Sequence, residues 1–325
     1  MGGSRQSYTA TLPEDRYHCV LDELPLHLIP RSSRRLVEES GDRVLVLNPA
    51  CAIRAAGDLP EEFSHKSHLV SGFALQGTIA WVPQPSGGTL PFWLSSALEA
   101  VLGGLRENEP VTVSVPGSTR ALLAAAGILV PAVSKGEKNR DEPIRSTAAR
   151  FQSRGYVPLS SLIHPFHVAA LRRYYRQQIR AGKIQLGDEQ SSRRYIAHNE
   201  RVARFFHHQL TSVFSQVAGK PLKPSYVYFA SYLSGADLKK HTDREQCDYS
   251  ITFCLDFSPE PSLATSWPIC LQNSAGTIKV FQALGDGLAY RGTQLPHFRG
   301  ALREGCTSTS IFFHYVGEDF RGSLD

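Results

Sequence analysis

No two of the six cysteines form a CxxC pair: Cys19, Cys51, Cys247, Cys254, Cys270 and Cys306 lie far apart. That excludes a zinc knuckle or a disulfide framework and reads as reduced thiols in a cytosolic protein. No run of Lys and Arg reaches five, and a formal net charge of +5 spread over 325 residues gives no ground for a nucleic-acid partner. No apolar stretch approaches the roughly 18 residues of a membrane span. The opening MGGSRQSYTATLPEDRY lacks the apolar core of a signal peptide. It also lacks the Ser or Thr of a myristoylation signal, because Gln6 stands in that place. These absences predict a cytoplasmic, non-membrane chain. What is present is the balance of a folded protein, 42% hydrophobic and 20% charged residues, at a length that suits two ordinary domains.

The first region, 1–133, mixes short β-like stretches (Arg43 to Leu47, Gly77 to Val82) with helical patterns. Phe92, Leu94, Ala97, Leu98, Val101, Leu102 and Leu105 recur at helical spacing, and a second helix over Thr119 to Ala126 ends at Gly127 before Ile128-Leu-Val130. A helix pair closed by a strand predicts a small α/β, winged-helix-like recognition or docking domain. A charged linker is expected over 134–146, because Lys135 to Pro143 offers nothing to bury. From 147 to 325 helices come first, over 160–218, with starts at His164-Pro165 and at an Asn199 cap. Short β-rich runs then fill 224–317. Helices followed by many evenly spaced strands predict an α+β domain: a jelly-roll barrel buttressed by helices.

His241-Thr-Asp243 puts an imidazole and a carboxylate two residues apart, which on a strand is the same face. His297, in Gln294-Leu-Pro-His297, is the best candidate for a third ligand. Two His and one carboxylate on one face of an octahedron leave three positions open, the donor set of non-haem Fe(II) oxygenases. A lone HxD is common in a chain with 12 histidines, so the strands around it decide its weight. The His207-His208 pair reads as structural or surface. Arg244 and Gln246, just past the carboxylate, are candidates for substrate contact at the mouth.

Tyr232-Leu-Ser-Gly235-Ala-Asp-Leu-Lys-Lys-His241-Thr-Asp243 resembles the Y-x-x-G-x-x-Y-x-x-H-x-D block of the prolyl-4-hydroxylase-like branch of Fe(II)/2-oxoglutarate dioxygenases. Gly285 to His297 resembles that family's approach to its distal His, so the likeness spans roughly Tyr226 to Val316. It implies a double-stranded β-helix, Fe(II), 2-oxoglutarate and O₂, with His241, Asp243 and His297 as metal ligands. Two positions depart from the pattern. Leu238 replaces a frequent Tyr, and Thr307 stands where the family usually has a Lys or Arg for the far carboxylate of 2-oxoglutarate. Arg299, two residues past His297, is the expected substitute, with Arg303 in reserve and Tyr232, Thr307 and Thr309 completing the co-substrate pocket.

The resemblance therefore implies an oxygenase that hydroxylates an unactivated C–H of an amino-acid residue in a peptide or protein, or of a small metabolite. The carboxylate at position 243 favours hydroxylation over halogenation. The rival from another class is a non-catalytic jelly-roll protein that binds or senses a small molecule or a metal.

Overall fold

A computed structural model describes residues 12–31, 33, 44–85, 87–106, 109–111, 115–132 and 141–325, with backbone alone for 141–143. In chain order the first region holds β1 (Leu45–Leu47), β2 (Ala52–Ala55), α1 (Glu61–Ser64), β3 (Thr78–Pro83), β4 (Thr89–Leu94), α2 (Ser96–Gly103), α3 (Gly117–Ala125) and β5 (Leu129–Pro131). The second holds α4 (Asp141–Arg154), β6 (Tyr156–Leu159), α5 (Pro165–Arg180), β7 (Gln185–Leu186), β8 (Arg194–His198), α6 (Arg201–Gln209), α7 (Thr211–Ala218), β9 (Leu222–Tyr232) and β10 (Leu238–His241). It continues with β11 (Tyr249–Ser258), β12 (Ile269–Asn273), β13 (Gly276–Val280), β14 (Gly287–Arg291), β15 (His297–Arg299) and β16 (Thr307–Gly317).

Two antiparallel sheets, of seven strands (β6-β14-β11-β16-β9-β8-β7) and four (β10-β15-β12-β13), form the jelly-roll part of this mixed α and β fold. They meet through Ile269 and Leu271 of the small sheet against Leu288 and Tyr290 of the large one. Every residue of β11 but the last is buried, because both faces of its sheet are covered. Side chains alternate along a strand. Ile251, Phe253 and Leu255 therefore join Phe229, Ile311 and Phe313 under the helices, while Ser250, Thr252 and Cys254 face the other sheet.

The helix layer lies between the large sheet and the first region. The hydroxyl of Tyr17 shares a 2.6 Å hydrogen bond with Nδ1 of His167 on α5, and its ring meets Phe206 edge-on at 5.9 Å. Phe63 and Phe73 pack against Phe205. Arg172, buried on α5, ties three parts together: it donates to Asp256 (3.0 Å) on β11, to Glu260 (3.2 Å) and to the carbonyl of Leu28 (2.6 Å). No helix among the described residues is long and apolar enough to cross a membrane.

Several boundaries differ from the sequence expectation, each for a local reason. Phe92 and Leu94 belong to β4, and α2 begins only after Ser95, whose hydroxyl accepts from the Leu98 amide at 3.3 Å. Buried strand residues at the end of β4 continue the helical spacing by accident. The helix pair and closing strand stand as α2, α3 and β5, but a three-stranded sheet, β2-β3-β4, precedes them. Residues 134–140 of the expected linker lie outside the described residues, and 141–146 are already in α4. The single helix expected from 199 breaks after α6, where Tyr315 and Thr211 hydroxyls donate to the His207 carbonyl (2.8 and 3.2 Å) in place of the next helical amide. Its cap is Glu200, not Asn199. The Glu200 carboxylate accepts from the Val202 and Ala203 amides (3.0 Å each), while Asn199 sits at φ 49° with its side chain on Val227 and Asp325. Between 160 and 218, where helices alone were expected, β7 and β8 extend the large sheet, which β6 also joins at its other edge.

Candidate metal centre

Antiparallel pairing of β10 with β15 sets His241 directly opposite His297. Their rings lie 4.4 Å apart. Asp243 follows just beyond the end of β10, where its amide donates to the Gly292 carbonyl at 2.9 Å and so turns the chain back toward the rings. Its Oδ1 lies 3.6 Å from Nε2 of His241 and 3.4 Å from Nε2 of His297. All three ligating atoms fall within 4.8 Å of one another, the spread of a set that can share one ion.

The tautomers suit that task. Nδ1 of His241 lies 2.8 Å from the Lys239 carbonyl, and Nδ1 of His297 lies 3.0 Å from the Leu295 carbonyl. A carbonyl only accepts, so both Nδ1 atoms carry the proton and each Nε2 keeps a lone pair for a metal. Burial raises the Asp243 carboxyl, but the nearby imidazoles of His241, His297 and His314 outweigh it and hold the group well below the usual carboxylate range. A second group, Asp243 with Cys247 and His314, is also compact. Burial pushes the Cys247 thiol up to about 12, so it stays protonated, and Nδ1 of His314 is engaged by Ser250 at 2.9 Å. The donors that fit a divalent ion are two imidazole nitrogens and one carboxylate oxygen.

Gly292 makes room for the carboxylate. A Cβ there would overlap Asp243 Oδ2 and the Cys247 carbonyl, far inside van der Waals contact. Nothing in the sequence marks this glycine, since its φ is not left-handed and the constraint comes from a neighbour in space.

Arg299 is 4% exposed and alternates with Phe298, so it shares the inward face of β15 with His297. It donates to the Trp267 carbonyl (2.6 Å) and to Gln282 (3.4 Å), and its guanidinium lies over the Trp267 ring at 4.7 Å. Its Nε has no partner, and burial pushes its pKa down. A buried guanidinium without a carboxylate is costly unless something anionic reaches it. Tyr232, buried at 1%, packs on the same Trp267 ring at 5.1 Å.

Other expected residues are placed elsewhere. Arg303 is exposed in the turn before β16. Thr307 and Thr309 are on the wrong face of β16. Thr309 shares a 2.8 Å hydrogen bond with Ser231 and lies in register with Asp256, whose carboxylate points to α5. The inward positions are Ser308 and Ser310, one residue out of step with the expectation. Arg244 lies over the Tyr226 ring at 5.1 Å and lines the cavity, whereas Gln246 does not, its carbonyl taking the Ser225 hydroxyl at 2.6 Å. His207 is structural: its Nε2 lies 2.7 Å from the His314 carbonyl, which therefore accepts.

A cavity of about 970 Å³ opens beside the triad. Its lining runs from Asp188 to His314 and includes Arg194, His198, Tyr226, Tyr228, Tyr290 and Phe312. Polar residues ahead of α6, Asp188, Arg194 and His198 among them, thus form one wall. Arg194 pairs there with Asp188, which also accepts from the Tyr228 hydroxyl at 2.9 Å.

No family model and no curated protein matches this chain. Solved structures similar to it include the epimerase SnoN in complex with Fe3+, alpha ketoglutarate and nogalamycin RO (12% identity over 54% of this chain and 84% of that one, TM-score 0.46). A Pseudomonas putida prolyl-4-hydroxylase is another, at 14% identity, 55% and 100% coverage and a TM-score of 0.45. HygX from Streptomyces hygroscopicus with nickel, 2-oxoglutarate and hygromycin B bound is a third, at 15% identity, 54% and 88% coverage and a TM-score of 0.43.

Proposed function

We propose that this chain is an iron(II)- and 2-oxoglutarate-dependent oxygenase that hydroxylates an unactivated C–H of an amino-acid residue in a peptide or protein, or of a small metabolite. The observation that carries the reading is the inward face of β15, where His297 of the triad is followed two residues later by the buried Arg299, which pairs with no carboxylate among the described residues. Strand rise puts about 7 Å between their Cα atoms. A five-carbon 2-oxo diacid is long enough to meet the metal at one end and the guanidinium at the other.

His241, Asp243 and His297 would hold the ion, and Arg299 with Tyr232 would receive the far carboxylate. Bound iron with its 2-oxo acid supplies the oxidising power for C–H attack by O₂. The chain's own share is positional. Backbone carbonyls fix both imidazole tautomers, and all three candidate ligands line the cavity, from which a 2-oxo acid would reach a bound ion. Tyr290, stacked edge-on to His297 at 4.8 Å, walls that side from water. Substrate would enter along Arg194, Tyr228 and Arg244.

This reading keeps the division into an α/β region ending at 133 and an oxygenase region from 147. Within it the first region supports the helix layer, since the described cavity lining begins only at Asp188.

The test is spectroscopic. Fe(II) and 2-oxoglutarate added without oxygen are expected to give a weak visible charge-transfer band that His297→Ala abolishes. A folded wild-type protein with no band would leave the non-catalytic jelly-roll as the better account.

A further inference from the structure

Asp243 has two carboxylate oxygens in different surroundings. Oδ1 faces both imidazoles. Oδ2 accepts a 3.0 Å hydrogen bond from the hydroxyl of Ser250, a residue with no exposed surface. Ser250 Oγ in turn lies 2.9 Å from Nδ1 of His314, itself 6% exposed. A hydroxyl has one proton. Given to Oδ2, it obliges Oγ to accept from His314, so Nδ1 carries the single ring proton and Nε2 remains an acceptor on a ring that lines the cavity. The bare backbone of Gly292 closes in on the same oxygen from another direction.

We infer that Ser250 and His314 are positioning residues that hold Asp243 by Oδ2, so that only Oδ1 is offered to a metal. The inference rests on the metal reading above and goes beyond it. A carboxylate free to rotate can close on an ion with both oxygens and occupy a position that the diacid or O₂ requires. The tether removes that option and orients Oδ1 before the ion arrives. It also links the ligand to the cavity, because a donor group of a bound molecule that reached Nε2 of His314 would be three hydrogen bonds from Asp243.

The experiment titrates the full-length, metal-free protein with Co(II), following affinity and the visible absorption that reports cobalt coordination. Wild type is expected to bind, and His241→Ala to lose binding. Ser250→Ala and His314→Leu are expected to bind about 10–100-fold more weakly, with a spectrum shifted toward higher coordination number. His314→Asn puts an amide N–H near the place of Nδ1–H and is expected to restore both affinity and spectrum. Unchanged affinity and spectrum in Ser250→Ala and His314→Leu overturn the tether, and so does a His314→Asn variant as weak as His314→Leu. Should Ser250→Ala fail to fold, the two His314 variants decide alone. Equal Co(II) binding by wild type and His241→Ala would instead sink the metal reading, and the tether with it.

Discussion

On one face of the large sheet stand Val227, Phe229, Ile251, Phe253, Leu255, Ile311, Phe313 and Tyr315; on the other stand Ser250, Thr252, Ser308, Ser310 and His314. Both sets are buried, so burial does not tell them apart. The difference is what each face meets. The helix side is close-packed with side chains from α5, α6 and α7, where apolar contact holds the fold. The opposite side packs on the small sheet through Leu288 and Tyr290 and opens onto the cavity at His314, and its small hydroxyls and imidazole stay buried at tolerable cost where they bond to one another. A strand with apolar residues at one parity and polar residues at the other, buried throughout, therefore marks a sheet covered on both sides rather than one that faces solvent.

Acid strikes both faces together and should have the largest effect. Burial holds the rings of His164, in the helix layer, and His314, at the site, down from 6.5 to about 4. Between those values the unfolded chain binds protons that the folded chain refuses. Stability thus rises with pH through this window and is lost as pH falls from about 6.5 to about 4. The gap corresponds to about 3 kcal/mol for each ring, and His167 and His207 add in the same direction. Urea midpoints of metal-free protein at pH 7 and pH 5 measure it; equal midpoints would refute it.

Arg172→Ala strikes the helix face alone. It removes a buried cation from Asp256 and Glu260 and frees the Leu28 carbonyl, a change expected to cost about 3–5 kcal/mol. Denaturant unfolding should show the loss, while Co(II) affinity of the folded fraction stays at the wild-type value.

Arg299→Ala should do the reverse. Truncating one side of a buried charge pair costs about 2–5 kcal/mol. At about 1.4 kcal/mol per tenfold, the 2-oxoglutarate requirement should rise by roughly 30-fold or more. Metal-free stability should fall less than in Arg172→Ala, because among the described residues Arg299 has an unpartnered Nε and no carboxylate partner, and only its bonds to the Trp267 carbonyl and Gln282 are lost. Exposed Arg303 is the control, and Arg303→Ala should change neither quantity.

The smallest effect tests the face of β16. Thr309→Val removes the hydrogen bond to Ser231 and is expected to cost about 1 kcal/mol with no change in the 2-oxoglutarate requirement. A large rise in that requirement would put Thr309 back in the pocket.

Much of this site was legible because its chemistry is local in sequence. His241 and Asp243 are two apart, His297 and Arg299 likewise, and the long runs at 226–232, 249–257 and 307–316 became β9, β11 and β16. What stayed hidden depends on the third dimension. Ser250 and His314 belong to different strands, and only their register brings them together. Thr307 and Thr309 were misplaced because parity along β16 cannot be fixed without knowing which face the helices cover. The Glu200 cap was missed because its carboxylate reaches past the usual short capping side chains, held by Tyr174 and Tyr175.

The weak place in the barrel is β10, four residues at the edge of the small sheet and paired on one side only. An ion shared by His241, Asp243 and His297 would rivet that edge strand to β15. Amides of 238–241 should therefore exchange with solvent quickly in the metal-free protein and slowly once metal is bound. Those of β11, paired on both sides, should keep one slow rate throughout. The cofactor would then complete the sheet as well as the site, and its loss would register first as fraying at one edge.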